Sequence, residues 1–173
     1  MLFGYPTGAV LAAQVALLRP DLVSGIVLHG FPLRTAPQRQ QRLEALPRDL
    51  DVDGYWKKVE WYYDVHVRQA PARRTLQERT RVFAQDMVAG PEFWFTYHGV
   101  WTWPYEERMP KIAVPTLAIA ADEVLAEATR ETASRIPGCE LCELPQVKGA
   151  AALATQAAEV AAPVRAFADR VGR

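Results

Sequence analysis

Apolar residues recur along this chain in two different rhythms. Near its start and over its last third they form short unbroken runs, Gly25-Ile26-Val27-Leu28-His29 and Pro115-Thr116-Leu117-Ala118-Ile119-Ala120. Runs this short and this uniformly apolar predict strands buried on both faces, as in a parallel sheet. Glu140 to Leu144 predicts a further strand, and Leu2-Phe3 the end of another. Between them lie stretches of helical period. Gly8 to Leu18 is rich in Ala and Leu and closes at Arg19-Pro20, and Glu127 to Ile136 ends at Pro137-Gly138. A last helix sets Val160, Val164, Phe167 and Val171 on one face, with Glu159, Arg165, Asp169 and Arg170 outside. Strands alternating with helices imply an α/β fold with a parallel sheet.

The middle of the chain changes character. Gln38 to Leu46, Tyr55 to Arg68, Thr75 to Val88 and Pro91 to Trp101 all read as helices, separated at Pro47, Gly54, Pro71 and Gly90-Pro91. Tyr55, Val59, Tyr62 and His66 fall on one face of the second. All five tryptophans, Trp56, Trp61, Trp94, Trp101 and Trp103, lie in this stretch. The expected organisation is a core part over residues 1–33, a helical insertion with a large aromatic surface over 34–108, and a second core part over 109–173.

Composition narrows the functional classes. Half of the 173 residues are hydrophobic, which suits a globular protein with a sizeable core. Lys and Arg number 20 against 20 Asp and Glu, so no basic excess points to nucleic acid or an anionic membrane surface. Ala9 to Leu18 is too short to span a bilayer and lacks the basic start of a signal peptide, so a cytoplasmic protein is expected. Cys139 and Cys142 form a C-x-x-C, but it reads as strand rather than helix N-terminus, and no second ligand pair follows. No metal or other cofactor is implied.

The first motif with chemical content is Gly4-Tyr5-Pro6-Thr7-Gly8, which has the frame of a G-x-S-x-G nucleophile elbow with proline in the serine's place. With its following helix and strand, GYPTGAVLAAQVALLRPDLVSGIVL resembles the elbow, helix and sixth strand of the α/β-hydrolase family. PEFWFTYHGVWTWPYEERMPKIAVPTLAIAADEVL resembles the end of a cap domain leading into the seventh strand and acid loop. RIPGCELCELPQVKGAAALATQAAEVAAPVRAFADRV resembles the eighth strand, histidine loop and terminal helix. The resemblance covers essentially the whole chain. It implies a partial α/β-hydrolase fold entered inside the fifth strand, with about four parallel strands flanked by helices and a helical cap.

The same resemblance implies a degenerate triad. Pro6 stands at the nucleophile position and offers neither hydroxyl nor thiol, and its ring fixes φ near roughly −65° where an elbow needs an unusual backbone. Thr7 is one residue off and reads as a helix-terminus hydrogen-bonding group. Asp122, with Glu123 beside it, follows TLAIA where the orienting carboxylate usually sits, and is equally a cap for the next helix. The three histidines, His29, His66 and His98, all precede Asp122, and Gly149 occupies the base's place after Lys148. His29-Gly30-Phe31-Pro32 mimics the family's H-G-x-P oxyanion segment but lies downstream of the elbow, and reads as a strand end followed by a turn. His98, with Trp94, Tyr97 and Trp101, is a candidate pocket lining.

Three functions remain open. The leading one is a catalytically inactive α/β-hydrolase-like protein, truncated or a pseudo-enzyme. Its open fifth-strand edge suggests a homodimer or a companion chain. The second is a hydrolase of ester-like or other small apolar substrates, with a misplaced start and an atypical mechanism. The third is a module that binds a small apolar ligand on the aromatic insertion.

Overall fold

The computed structural model describes residues 1–48, 50–70, 74–148, 153 and 156–172. They form two compact units, residues 1–39 with 102–173, and residues 40–101.

The first unit holds a four-stranded parallel sheet in the order β1 (Leu2–Gly4), β2 (Ile26–His29), β3 (Thr116–Asp122), β4 (Glu140–Lys148). Registers run Leu2 to Ile26, Ile26 to Thr116 and Leu117 to Glu140. The apolar runs became the two central strands, and β2 is buried at every residue. Leu117, Ile119 and Ala121 of β3 share a core with Val27, Leu144, Val147, Val160 and Phe167. Val160 and Phe167 belong to the terminal helix α8 (Ala157–Val171), so the predicted apolar face of that helix is the one that packs. β4 runs four residues beyond the expected Leu144. A register shift pairs Ala121 with Leu144 but Asp122 with Lys148. Pro145 fits there because β4 is an edge strand and needs no donor on its free side.

Helix α1 (Thr7–Leu18) buries Ala9, Val10, Ala12, Ala13 and Ala16 and packs on β1 and β2. Its small residues let it approach the sheet closely. The approach is tightest at Gly4, where a Cβ would fall 2.1 Å from the Gly8 carbonyl oxygen. Helix α7 (Ala126–Arg135) buries the hydroxyls of Thr129 and Thr132, which donate to Leu125 O and Ala128 O. Thr129 Oγ1 also accepts from the Phe31 N–H at 2.9 Å, which ties down the loop after β2. A short helix, α6 (Tyr105–Arg108), adds Tyr105, fully buried and edge-on to Phe31 at 5.7 Å.

Helix α2 (Ala36–Glu44) leads into the second unit. There α3 (Val52–Tyr63) starts at Asp51, whose carboxylate accepts from the Gly54 N–H. It continues as a π-helical turn over Asp64–Arg68. Helix α4 (Leu76–Met87) opens with a reciprocal capping box between Thr75 and Glu78, which satisfies two otherwise orphaned donors. A 3₁₀ turn at Gly90–Phe93 precedes α5 (Trp94–Thr102). Tyr62 is buried here, stacked on His66 at 5.8 Å and edge-on to Phe93, and His66 Nε2 lies 2.7 Å from Asp86 Oδ2. Among the described residues no helix is long and apolar enough to cross a membrane.

Candidate functional site

Parallel strands end on one side of a sheet, and that carboxyl edge is where open α/β folds place their chemistry. Here the ends of three adjacent strands bring together Tyr5, just past β1, His29, the last residue of β2, and Glu123, just past β3. Tyr5 donates its hydroxyl to Glu123 Oε2 at 2.8 Å. The Tyr5 and His29 rings lie 4.9 Å apart, and Phe3 meets the imidazole edge-on at 6.2 Å. His29 Nε2 stands 3.9 Å from Glu123 Oε1, with the two side chains only 1% and 4% exposed. Both imidazole nitrogens and Glu123 Oε1 lack a hydrogen-bond partner among the described residues. Gly30, at φ +61°, makes the arrangement possible, since a Cβ there would lie 2.4 Å from Glu123 Oε1.

Burial sets the electrostatics. It pushes the His29 pKa down to about 4, so the imidazole is neutral at neutral pH. It raises the Glu123 carboxyl, against the opposing hydrogen bond from Tyr5. Desolvation first, then Glu123, holds the Tyr5 phenol well above its ordinary value. A phenol kept protonated and donating to a carboxylate is a poor nucleophile.

Pro6 is the N-cap of α1, at φ −69° and ψ −36°. That is ordinary helical backbone, with the Gly8 and Ala9 N–H groups already turning back to Tyr5 O and Pro6 O. Its missing N–H falls where a helix has no partner for one. Asp122 is exposed and lies 3.6 Å from the equally exposed Lys148 Nζ, an ion pair across the β3–β4 irregularity. Gly149 lies outside the described residues. Cys139 and Cys142 are free thiols; burial pushes Cys139 up to about 11 and raises Cys142 too, which disfavours thiolate chemistry. Among the described residues no group of three or more His, Cys, Asp or Glu could hold a metal ion.

In the second unit, His98 lines a hollow of 420 Å³ with Leu43, Leu46 and the polar Gln40, Glu44 and Arg48. Trp94 stands edge-on to His98 at 6.0 Å and stacks on Phe95. Trp101 is buried with the Arg42 guanidinium 5.1 Å over its ring, and Tyr97 hydrogen-bonds Tyr62. A larger and more apolar groove of 820 Å³ lies elsewhere, along α3, with Trp56, Trp61, Tyr63 and Phe83 in its walls. Sequence reasoning passed over this groove, although Trp56, Val59, Tyr63 and the carboxylates Glu60 and Asp64 recur at helical spacing. It also named Glu123 only as the neighbour of Asp122.

No family model matches this chain. A protein of Klebsiella pneumoniae named as a carbamate hydrolase, RutD, is 29% identical over 153 residues, covering 83% of this chain and 56% of that protein. The chain therefore spans little more than half the length of that relative. Among solved structures, a hydrolase from Pseudomonas aeruginosa matches with a TM-score of 0.69 and 23% identity, over 95% of this chain and 63% of that one. MenH from S. aureus matches with a TM-score of 0.76 and 18% identity, over 99% and 68%. The enol-lactonase from Burkholderia xenovorans matches with a TM-score of 0.61 and 16% identity, over 95% and 64%.

Proposed function

Because the chain has the α/β-hydrolase fold, we propose that it is a hydrolase-like protein whose elbow position forms no acyl-enzyme. One observation supports this reading. Pro6, between β1 and α1 where the resemblance puts the family's nucleophile, lies in helical backbone and has no hydroxyl or thiol to attack a carbonyl. The surroundings agree with it. Tyr5 spends its hydroxyl on Glu123, His29 is buried against rings rather than aimed at a nucleophile, and Asp122 is paired with Lys148 at the surface. What this part of the fold retains is the scaffold of the site, with a packed aromatic and carboxyl cluster in place of the reacting groups.

The test is esterase and carbamatase turnover by the purified chain, with p-nitrophenyl acetate, p-nitrophenyl butyrate and a p-nitrophenyl carbamate as substrates. The expected result is release at the buffer rate with no burst of p-nitrophenol. The similarity to RutD favours a second reading, a hydrolase working by another mechanism, and places the carbamate in the panel. Saturable turnover abolished by Glu123→Gln or His29→Phe would establish that reading instead.

A further inference from the structure

The groove along α3 combines aromatic walls with an unbalanced charge. Trp56 and Trp61 are 59% and 52% exposed, a large apolar area for one helix to leave in water. Tyr63 and Phe83 meet edge-on at 5.5 Å and fix the opposite wall. The volume, 820 Å³, is that of a small-molecule site. Three charged residues line it: Glu60, Asp64 and Arg68. The Arg68 guanidinium is committed, 3.5 Å from Asp64 and 5.5 Å over the Tyr63 ring. Glu60 accepts only from the neutral indole N–H of Trp56, at 3.0 Å, with no cation in ion-pair reach among the described residues. One carboxylate charge is thus left facing two exposed indoles.

We propose that this groove binds a small organic cation with an apolar body, an aryl- or alkyl-ammonium, between Trp56, Trp61 and the carboxylate of Glu60. Aromatic faces attract a desolvated ammonium, and a nearby carboxylate adds to that attraction. The chain itself supplies a precedent beside the groove. The Lys58 ammonium lies 4.2 Å from the Trp61 ring centroid and 4.8 Å from those of Tyr62 and Phe93. That charge competes with an incoming cation for the Trp61 ring, as the Arg68 guanidinium in the groove wall does for Asp64. Removal of the Lys58 charge therefore strengthens cation binding, whereas an unselective apolar groove would not respond to it. The π-helical turn contributes Asp64 and Arg68 to the groove's lining, an irregularity often found at binding sites.

Binding is read by tryptophan fluorescence and calorimetry on the full chain, with three probes of one shape class: benzyltrimethylammonium, benzyl alcohol and phenylacetate. The cation is expected to bind tightest and phenylacetate weakest. Glu60→Gln keeps the acceptor for Trp56 Nε1 and is expected to weaken the cation about three- to fivefold, the scale of one exposed charge interaction. Lys58→Met is expected to tighten it by a similar factor. Circular dichroism of both variants controls for folding. Equal affinity for the three probes, tighter binding of phenylacetate, no binding at all, or indifference of cation affinity to Glu60→Gln in a folded variant would each overturn the proposal.

Discussion

His29 and Glu123 face each other across 3.9 Å at the carboxyl edge of the sheet, both buried, neither meeting the other's polar atom at hydrogen-bonding distance. A buried unpartnered polar atom costs about 1–3 kcal/mol, so this corner of the core is held at a deficit. Glu123→Gln should recover part of it. The new amide oxygen still accepts from Tyr5, and its N–H₂ can donate to His29 Nε2. A carboxyl whose folded pKa is raised stabilises the fold below its unfolded value near 4.5, and that contribution is lost as pH rises through the folded value. The gain from Glu123→Gln, about 1 kcal/mol by urea denaturation, should therefore be larger at pH 7.5 than at pH 4.

The imidazole gives the opposite pH arm. His29 falls from 6.5 in the unfolded chain to about 4 in the folded one, so stability present above pH 6.5 is lost as pH falls toward 4. The loss is on the order of 3 kcal/mol. His29→Phe, in a neighbourhood of Phe3 and Tyr5 rings, should remove this acid arm. Urea midpoints at pH 7 and pH 4.5 should then differ clearly less in the variant than in the parent chain.

Two nearby glycines should respond to alanine in opposite directions. At Gly4 a Cβ would meet the backbone of Gly8 and Ala9 at 2.1–2.3 Å, with no flexible side chain to give way. Gly4→Ala should destabilise by about 3 kcal/mol or prevent folding. At Gly8 a Cβ meets nothing within 4 Å, and the residue lies inside α1. Gly8→Ala should stabilise by about 0.5–1 kcal/mol, as helix propensity alone dictates. Thermal melts of the pair check both signs.

The outer face of α1 carries Leu11, Val15, Leu18 and, just beyond its end, Leu22, all exposed, on a helix without a single charged residue. Beside it β1 is an edge strand. An exposed apolar helix face promotes association. Sedimentation velocity should show concentration-dependent self-association, and Leu18→Glu with Leu22→Glu should shift it toward monomer. A single monomeric boundary for the parent chain at all concentrations would contradict this.

The fold was legible where one physical signal dominated. The apolar runs at 25–29 and 115–120, too short for helices, predicted buried strands, and the spacing of Val160, Val164, Phe167 and Val171 oriented the last helix. β4 was cut short because Pro145 looks like a terminator until the sheet order makes it an edge position. The site was harder to read. Pro6 announced itself through its chemistry, but the cluster of Tyr5, His29 and Glu123 spans 118 residues and exists only because three strands end side by side. Local pattern carries no trace of such a meeting. The groove along α3 is hidden from the sequence for a related reason: whether an indole is packed or left in water is decided by tertiary contacts.

The proposed hydrolase-like protein has no acylated nucleophile at its elbow position. Intact-mass spectrometry after incubation with an excess of a fluorophosphonate measures this directly, because a working elbow takes up one phosphonyl group per chain. The predicted result is an unshifted mass, for the parent chain and for Pro6→Ser alike, since the variant gains a hydroxyl while His29 stays packed against the Phe3 and Tyr5 rings. Stoichiometric addition to the parent chain, mapped to one residue and accompanied by loss of ester or carbamate turnover, would contradict it.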